Sequence, residues 1–158
     1  MLPEKRTRTK TKVTEIEEIF RRVANINMQI NAKTEEIGYW RLLSVKTGEI
    51  LSAVKTGKSN KRKSRTEDCV CKIAGIEESL KKDMDELIKL KERVTEIIGK
   101  IDVPEYKSLL THRYLCDKTW AEVAASMGYS YVHVVNRIRP RVFERIEEMG
   151  IRGSGDGD

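Results

Sequence analysis

The chain has 158 residues, of which 35% are charged and 6% aromatic, and its 31 Lys and Arg against 25 Asp and Glu give a formal net charge of +6. This composition favours long solvated helices with one small apolar core and argues against a large β-rich core. The positive charge favours a polyanionic partner, although net charge bears on association and not on fold.

The N-terminal segment, residues 1–12, carries five basic residues and one acid, and we interpret it as a flexible basic arm. From Val13, apolar residues recur at steps of three and four and predict a helix of about 30 residues that ends near Leu43. Asn27 and Thr34 interrupt the apolar stripe. Polar residues at such positions can fix the register or the oligomeric state of packed helices.

A basic linker without hydrophobic periodicity follows at about residues 44–68. The part from Lys55 to Arg65 holds six basic residues and no acid. It contains Gly-Lys-Ser, as phosphate-binding loops do, but Ser52 occupies the place of the first glycine of such a loop, and no buried strand leads into it. We therefore interpret it as a flexible linker that contacts phosphates without forming a nucleotide site. The predicted phosphate contacts are Lys58, Lys61, Arg62, Lys63 and Arg65.

A second long helix is predicted from Val70 to Ile101 by a heptad pattern with two sets of seam positions. One set is apolar throughout: Ile73, Leu80, Leu87, Val94 and Ile101. The other set has two charged members: Val70, Glu77, Met84, Lys91 and Ile98. With the first helix, this pattern predicts a long antiparallel helical hairpin over residues 13–103, and a parallel coiled-coil dimer is the alternative.

The C-terminal domain, residues 104–149, begins with Pro104, which suits the first turn of a helix that ends near Cys116. Thr119 and Glu122 then form a T-x-x-E capping box at the start of a short helix. The residues expected in the common core of these two helices are Tyr106, Leu109, Leu110, Tyr114, Trp120, Val123, Ala124 and Met127.

A further helix follows after a short turn. Gly128 suits the left-handed backbone position after the short helix, and Ser130 suits the N-cap of the next one. Apolar residues at every fourth position give that helix one buried face: Val134, Ile138, Val142 and Ile146. A short helix, a turn with glycine and a second helix predict a helix-turn-helix. Pro140 lies inside the second helix, so we expect a kink or an end near Arg139.

The second helix of such a motif normally places its first residues in the major groove of DNA. The outward residues expected to contact bases are Tyr131, Val132, His133, Asn136 and Arg137. Arg137 can bind guanine and Asn136 adenine through paired hydrogen bonds. The predicted phosphate contacts of this helix are Ser130, Arg139 and Arg141. For each of these residues, a solvated basic helix face is the alternative.

The segment LLTHRYLCDKTWAEVAASMGYSYVHVV resembles the C-terminal module of phage and prophage late-transcription regulators of the ArpU/RinA type. That module is in turn similar to the promoter-reading C-terminal region of sigma factors. The matching residues are Leu109, Leu110, Arg113, Tyr114, Trp120, Ala124, Met127, Gly128, Tyr129, Ser130, His133 and Val134. The resemblance implies a sequence-specific binder of double-stranded DNA that acts on transcription and is not an enzyme. RNA polymerase and a second copy of the chain are the other candidate partners.

The remaining features contain no sign of catalysis. Three cysteines and two histidines lack the spacing of a metal site, so we expect no metal, cofactor or catalytic residue. The lack of a long apolar run or a signal peptide predicts a cytoplasmic protein without a membrane partner. Residues 150–158 are expected to form a disordered tail. The alternative functions are a DNA-recognition subunit of a phage packaging machine and a structural helical interaction protein.

Overall fold

The computed structural model describes residues 15–53 and 59–151, and the side chains of residues 15–46 and 65–151. Every regular element in these ranges is helical, which confirms the predicted all-α class. The two long helices are α1, Glu15–Ala53, and α2, Ser59–Lys100. The shorter elements are α3, Pro104–Leu110, continued by a π-helical segment Thr111–Leu115; α4, Trp120–Met127; and α5, Tyr131–His133, continued by a π-helical segment Val134–Ile138 into α6, Arg139–Glu148. None of the described helices has the length and apolar character that a membrane crossing requires.

Both long helices extend beyond the bounds that hydrophobic periodicity predicts. α1 passes Leu43 and ends at Ala53, while α2 begins at Ser59, well before Val70. Both ends of the predicted linker are therefore helical. The start of α2 is rich in lysine and arginine. These residues favour helix even without an apolar stripe, because their unbranched side chains lose little rotamer freedom in a helix. The predicted arm, residues 1–12, and most of the predicted tail lie outside the described residues.

The chain divides into two compact units. We call Asn25–Lys89 the hairpin unit. The terminal unit combines Met1–Ala24 with Leu90–Asp158, of which residues 15–24 and 90–151 are described. Each unit thus contains part of α1 and part of α2.

In the hairpin unit, α1 and α2 pack against each other in antiparallel directions. Lys33 of α1 pairs with Asp83 of α2, and Arg41, farther along α1, pairs with Glu77, which lies earlier on α2. The two helices therefore run in opposite directions. The long helical hairpin is confirmed, formed within a single chain.

The seam of α2 in this unit differs from the prediction in one of its two sets. The members of the apolar set are half-buried as expected: Ile73, Leu80 and Leu87. The members of the other set are exposed instead: Val70, Glu77 and Met84. Their place is taken by Ile76 and Asp83, which are half-buried. An aspartate can lie on the seam because Lys33 reaches across from α1 to pair with it.

The terminal unit is built around a close-packed apolar core. The side chains that are almost completely buried include Phe20, Val23, Val94, Leu109, Leu110, Val123, Val134 and Val142. The ring centroid of Phe20 lies 4.5 Å from that of Tyr114 and 5.9 Å from that of Phe143. The start of α1 is therefore part of this core. Trp120, which we expected in the core, is only half-buried.

Two ion pairs in the terminal unit involve residues of the segments between its helices. Lys91 Nζ donates to Asp117 Oδ2 at 2.7 Å and to the carbonyl oxygen of Leu115 at 3.1 Å. Asp102, after the end of α2, accepts two hydrogen bonds from Arg145 of α6, one of them from Nε to Oδ1 at 3.1 Å. The hydrogen bonds from Arg145 lower the pKa of the Asp102 carboxyl. The first pair joins α2 to the segment that follows Thr111–Leu115, and the second joins the segment after α2 to α6.

Candidate nucleic-acid interface

The start and end of α4 have the predicted local geometry. The backbone N–H of Glu122 donates to Thr119 Oγ1 at 3.2 Å, and the backbone N–H of Thr119 donates to Glu122 Oε2 at 2.8 Å. Gly128 follows the helix with φ 75° and ψ 26°, in the left-handed region. Val123 and Ala124 are buried. The capping box and the glycine stop are therefore both confirmed.

The turn into α5 is fixed by Ser130 and by a tyrosine that we did not predict as a site residue. Ser130 Oγ accepts a hydrogen bond from the backbone N–H of His133 at 3.2 Å, as expected for an N-cap. Tyr129 donates its hydroxyl to Glu105 Oε1 at 2.5 Å, and this bond raises the pKa of Tyr129. The Tyr129 ring also lies 5.0 Å from the His133 ring, between centroids. Tyr129 therefore contacts both α3, through Glu105, and α5, through His133.

The helix that begins at Tyr131 has one buried and one exposed side. Its buried residues are the four predicted ones: Val134, Ile138, Val142 and Ile146. All eight predicted DNA contacts on this helix are exposed: Ser130, Tyr131, Val132, His133, Asn136, Arg137, Arg139 and Arg141. Val132 is 62% exposed and Tyr131 is 53% exposed. We call these eight residues the polar face.

Pro140 is accommodated by a π-helical segment rather than by the end of the helix. The backbone N–H of Arg139 donates to the carbonyl oxygen of Val134, five residues earlier. Proline has no N–H, and its ring would clash with the carbonyl group four residues before it in an α-helix. A wider π turn just ahead of the proline relieves this conflict. The helical backbone thus continues into α6.

The basic residues of the polar face differ in their surroundings. The guanidinium carbon of Arg139 lies 5.1 Å from the centroid of the Trp120 ring, and that of Arg113 lies 4.9 Å from the same ring. Arg137 and Arg141 take part in no ion pair within the described part of the chain. Arg139 is therefore held beside α4, while the other two arginines extend from the exposed side. Sequence spacing did not reveal this cluster around Trp120, because its members belong to three helices.

The predicted phosphate contacts of the linker are described only in part. Arg65 is exposed on α2. Lys61, Arg62 and Lys63 belong to the first turns of the same helix, but their side chains are outside the described set. Lys58 lies outside the described residues. Arg65 belongs to the hairpin unit, whereas the polar face belongs to the terminal unit.

The other chemistry-bearing residues form no further site in the described ranges. Cys69, Cys71 and Cys116 are free thiols, and no group of three His, Cys, Asp or Glu is placed there to hold a metal ion. No protein-family model matches the chain, and neither a curated protein nor a solved structure matches it. The geometry of the polar face is therefore the main basis for a functional proposal.

Proposed function

We propose that the chain is a sequence-specific DNA-binding transcription regulator, in which α4 and the helix that begins at Tyr131 act as a helix-turn-helix. The observation that carries the proposal is the division of this second helix into two sides. Its apolar residues are buried against the terminal core, while the polar face is exposed along its length. A helix held rigidly from one side, with basic and amide side chains on the other, suits the major groove of DNA.

The residues of the polar face divide into two chemical roles. Arg137 and Asn136 carry the groups that bind guanine and adenine edges in pairs of hydrogen bonds. Tyr131 and His133 can add hydrogen bonds, and Val132 can contact a thymine methyl group. Ser130, Arg139 and Arg141 are assigned to phosphates, which position the protein without selecting a sequence.

The biological setting of the proposal rests on sequence alone. The resemblance to ArpU/RinA-type regulators favours control of phage or prophage late genes, with RNA polymerase as a partner. The basic arm and linker would add phosphate contacts such as those of Lys58, Lys61 and Arg62. Binding that depends on such contacts weakens steeply as salt is raised.

The direct experiment is to select bound duplexes from a random DNA pool at moderate salt, with the wild-type chain and with Arg137→Ala. We expect one enriched motif with the wild-type chain and its loss or relaxation with Arg137→Ala. Arg21→Ala is the matched control, since Arg21 is an exposed arginine in the same unit and forms an ion pair with Glu18, three residues before it on α1. An enriched motif that survives Arg137→Ala unchanged would contradict the assignment of this residue.

The alternative functions predict different results in the same preparation. A packaging subunit would form a stable ring of many copies, which sedimentation measures directly. A purely structural protein would enrich no motif, and Asn136→Ala would change no binding.

A further inference from the structure

A second stripe at heptad spacing runs along α2 in the hairpin unit, outside the seam that α1 covers. Its six positions follow one another at steps of four and three residues: Val70, Ala74, Glu77, Lys81, Met84 and Ile88. All six are exposed. The large apolar members are 58%, 49% and 55% exposed at Val70, Met84 and Ile88. Alternating steps of three and four are the spacing with which one helix packs along another.

When two copies of α2 run antiparallel, the residues of the stripe on one copy can pair with the residues of the stripe on the other. If residue 79 marks the two-fold axis, Val70 lies opposite Ile88 of the second copy, and Ala74 lies opposite Met84. The two central positions then place Glu77 of each chain opposite Lys81 of the other. Two-fold symmetry repeats every one of these pairs.

The charges also discriminate against the parallel arrangement. A parallel, in-register pair would place Glu77 against Glu77 and Lys81 against Lys81, and such like-charge contacts are unfavourable. In the hairpin itself, Glu77 pairs with Arg41, but both side chains of that pair are more than half exposed, and exposed pairs contribute little. Glu77 is therefore able to bind a second partner.

We propose that this stripe is the interface of an antiparallel homodimer, formed by α2 of one chain and α2 of a second copy. The apolar pairs at both ends of the stripe bury hydrophobic surface. The central Glu77–Lys81 pairs fix the direction and register of the two helices at some cost in stability. The stripe spans only about 27 Å, at about 1.5 Å per residue. We therefore expect a reversible dimer whose population depends on concentration. This inference does not depend on the proposed DNA binding.

Sedimentation equilibrium of the full chain over about 1 to 100 µM tests the interface. We expect a monomer–dimer equilibrium for the wild-type chain. Lys81→Glu or Glu77→Lys should each weaken dimerisation at least about tenfold, because like charges then meet twice. The double variant, with both substitutions, restores opposite charges and should recover the dimer. Lys82→Glu is the matched control, since it makes the same charge change next to the stripe on an exposed position.

A crosslinking experiment tests the direction of the pairing. The three native cysteines are replaced by serine, and chains with Ala74→Cys are mixed with chains with Met84→Cys. The antiparallel register predicts a disulfide between the two different chains and little disulfide in either variant alone. A parallel dimer would instead link Ala74→Cys chains to one another.

Three results would overturn the proposal. The first is a wild-type chain that stays monomeric up to the highest concentration. The second is a dimer that both single charge reversals leave intact. The third is a crosslink pattern in which each variant links only to itself. Circular dichroism on every variant checks that the helices still form.

Discussion

The hairpin unit and the terminal unit are both helical, but different interactions hold them together. Among the described side chains of the hairpin unit, only Ile26 and Ile37 are buried apolar residues, and ion pairs such as Lys33–Asp83 link its helices. The terminal unit buries most of the core, including Leu109 and Val134, which are fully buried. Close packing fixes side-chain positions more strictly than exposed polar contacts do.

This difference suits two different tasks. A DNA-reading helix must hold its side chains in one geometry, and the terminal core provides that support for the polar face. The hairpin unit keeps apolar side chains such as Met84 and Ile88 on its surface. Apolar side chains exposed at heptad spacing suit packing against a second helix. We infer that the terminal unit recognises a ligand and that the hairpin unit brings copies of the chain together.

The largest effect is expected from core truncation, which compares the packing of the two units. Leu109→Ala should reduce the free energy of unfolding by about 4 kcal/mol, because the side chain is fully buried in a close-packed core and its removal leaves a cavity. Ile37→Ala should cost about 2 kcal/mol, because a two-helix seam relaxes more easily. Urea unfolding followed by circular dichroism measures both losses. Equal losses would contradict the claimed difference in packing.

The next effect concerns the polar pair on the hairpin seam. Asp83→Ala should reduce the free energy of unfolding by about 1–2 kcal/mol, because it leaves the Lys33 ammonium partly buried without its carboxylate. The double variant Lys33→Met with Asp83→Leu should regain that loss, since apolar residues of similar volume replace a buried pair well. The comparison is made by thermal and urea unfolding. A double variant less stable than Asp83→Ala would contradict this interpretation of the pair.

A pair of glycine substitutions should have opposite signs in the two units. Gly128→Ala should reduce the free energy of unfolding by about 1 kcal/mol, because φ at Gly128 is +75° and a side chain is strained there. Gly75→Ala, in the middle of α2, should increase it by about 0.5–1 kcal/mol. A Cβ atom has open space at both positions, so the backbone alone decides the sign. Thermal unfolding that shifts both variants in the same direction would be inconsistent with this account.

The smallest effect is a pH dependence in the terminal unit. Arg145 lowers the pKa of Asp102 in the folded chain, so the folded state releases this proton more readily than the unfolded state. The pair therefore contributes stability above the ordinary range of an aspartate, about pH 4, and this contribution is lost as the pH falls through the lowered pKa. Asp102→Asn should flatten the acid side of the stability–pH curve. An unchanged curve would mean that the pair contributes nothing.

Local features were predictable from the sequence, and contacts between distant residues were not. The capping box at Thr119, the glycine stop at Gly128 and the four-residue apolar period from Val134 depend on neighbours in the chain. The Lys33–Asp83 pair joins residues 50 positions apart, so the heptad count excluded Asp83 from the seam and placed Glu77 there. The exposure of the polar face followed from the four-residue apolar period that begins at Val134. The position of Arg139 beside Trp120 did not, because it depends on how α4 packs against the following helix.

The most direct measurement compares the affinity for the selected duplex and for a scrambled duplex across a salt series. We expect Arg137→Ala to weaken binding to the selected duplex by about tenfold to a hundredfold and to leave binding to the scrambled duplex nearly unchanged. Joint replacement of Lys61, Arg62 and Lys63 by alanine should weaken both duplexes alike and lower the salt slope. Equal weakening of both duplexes by Arg137→Ala would contradict the claim that the polar face reads bases.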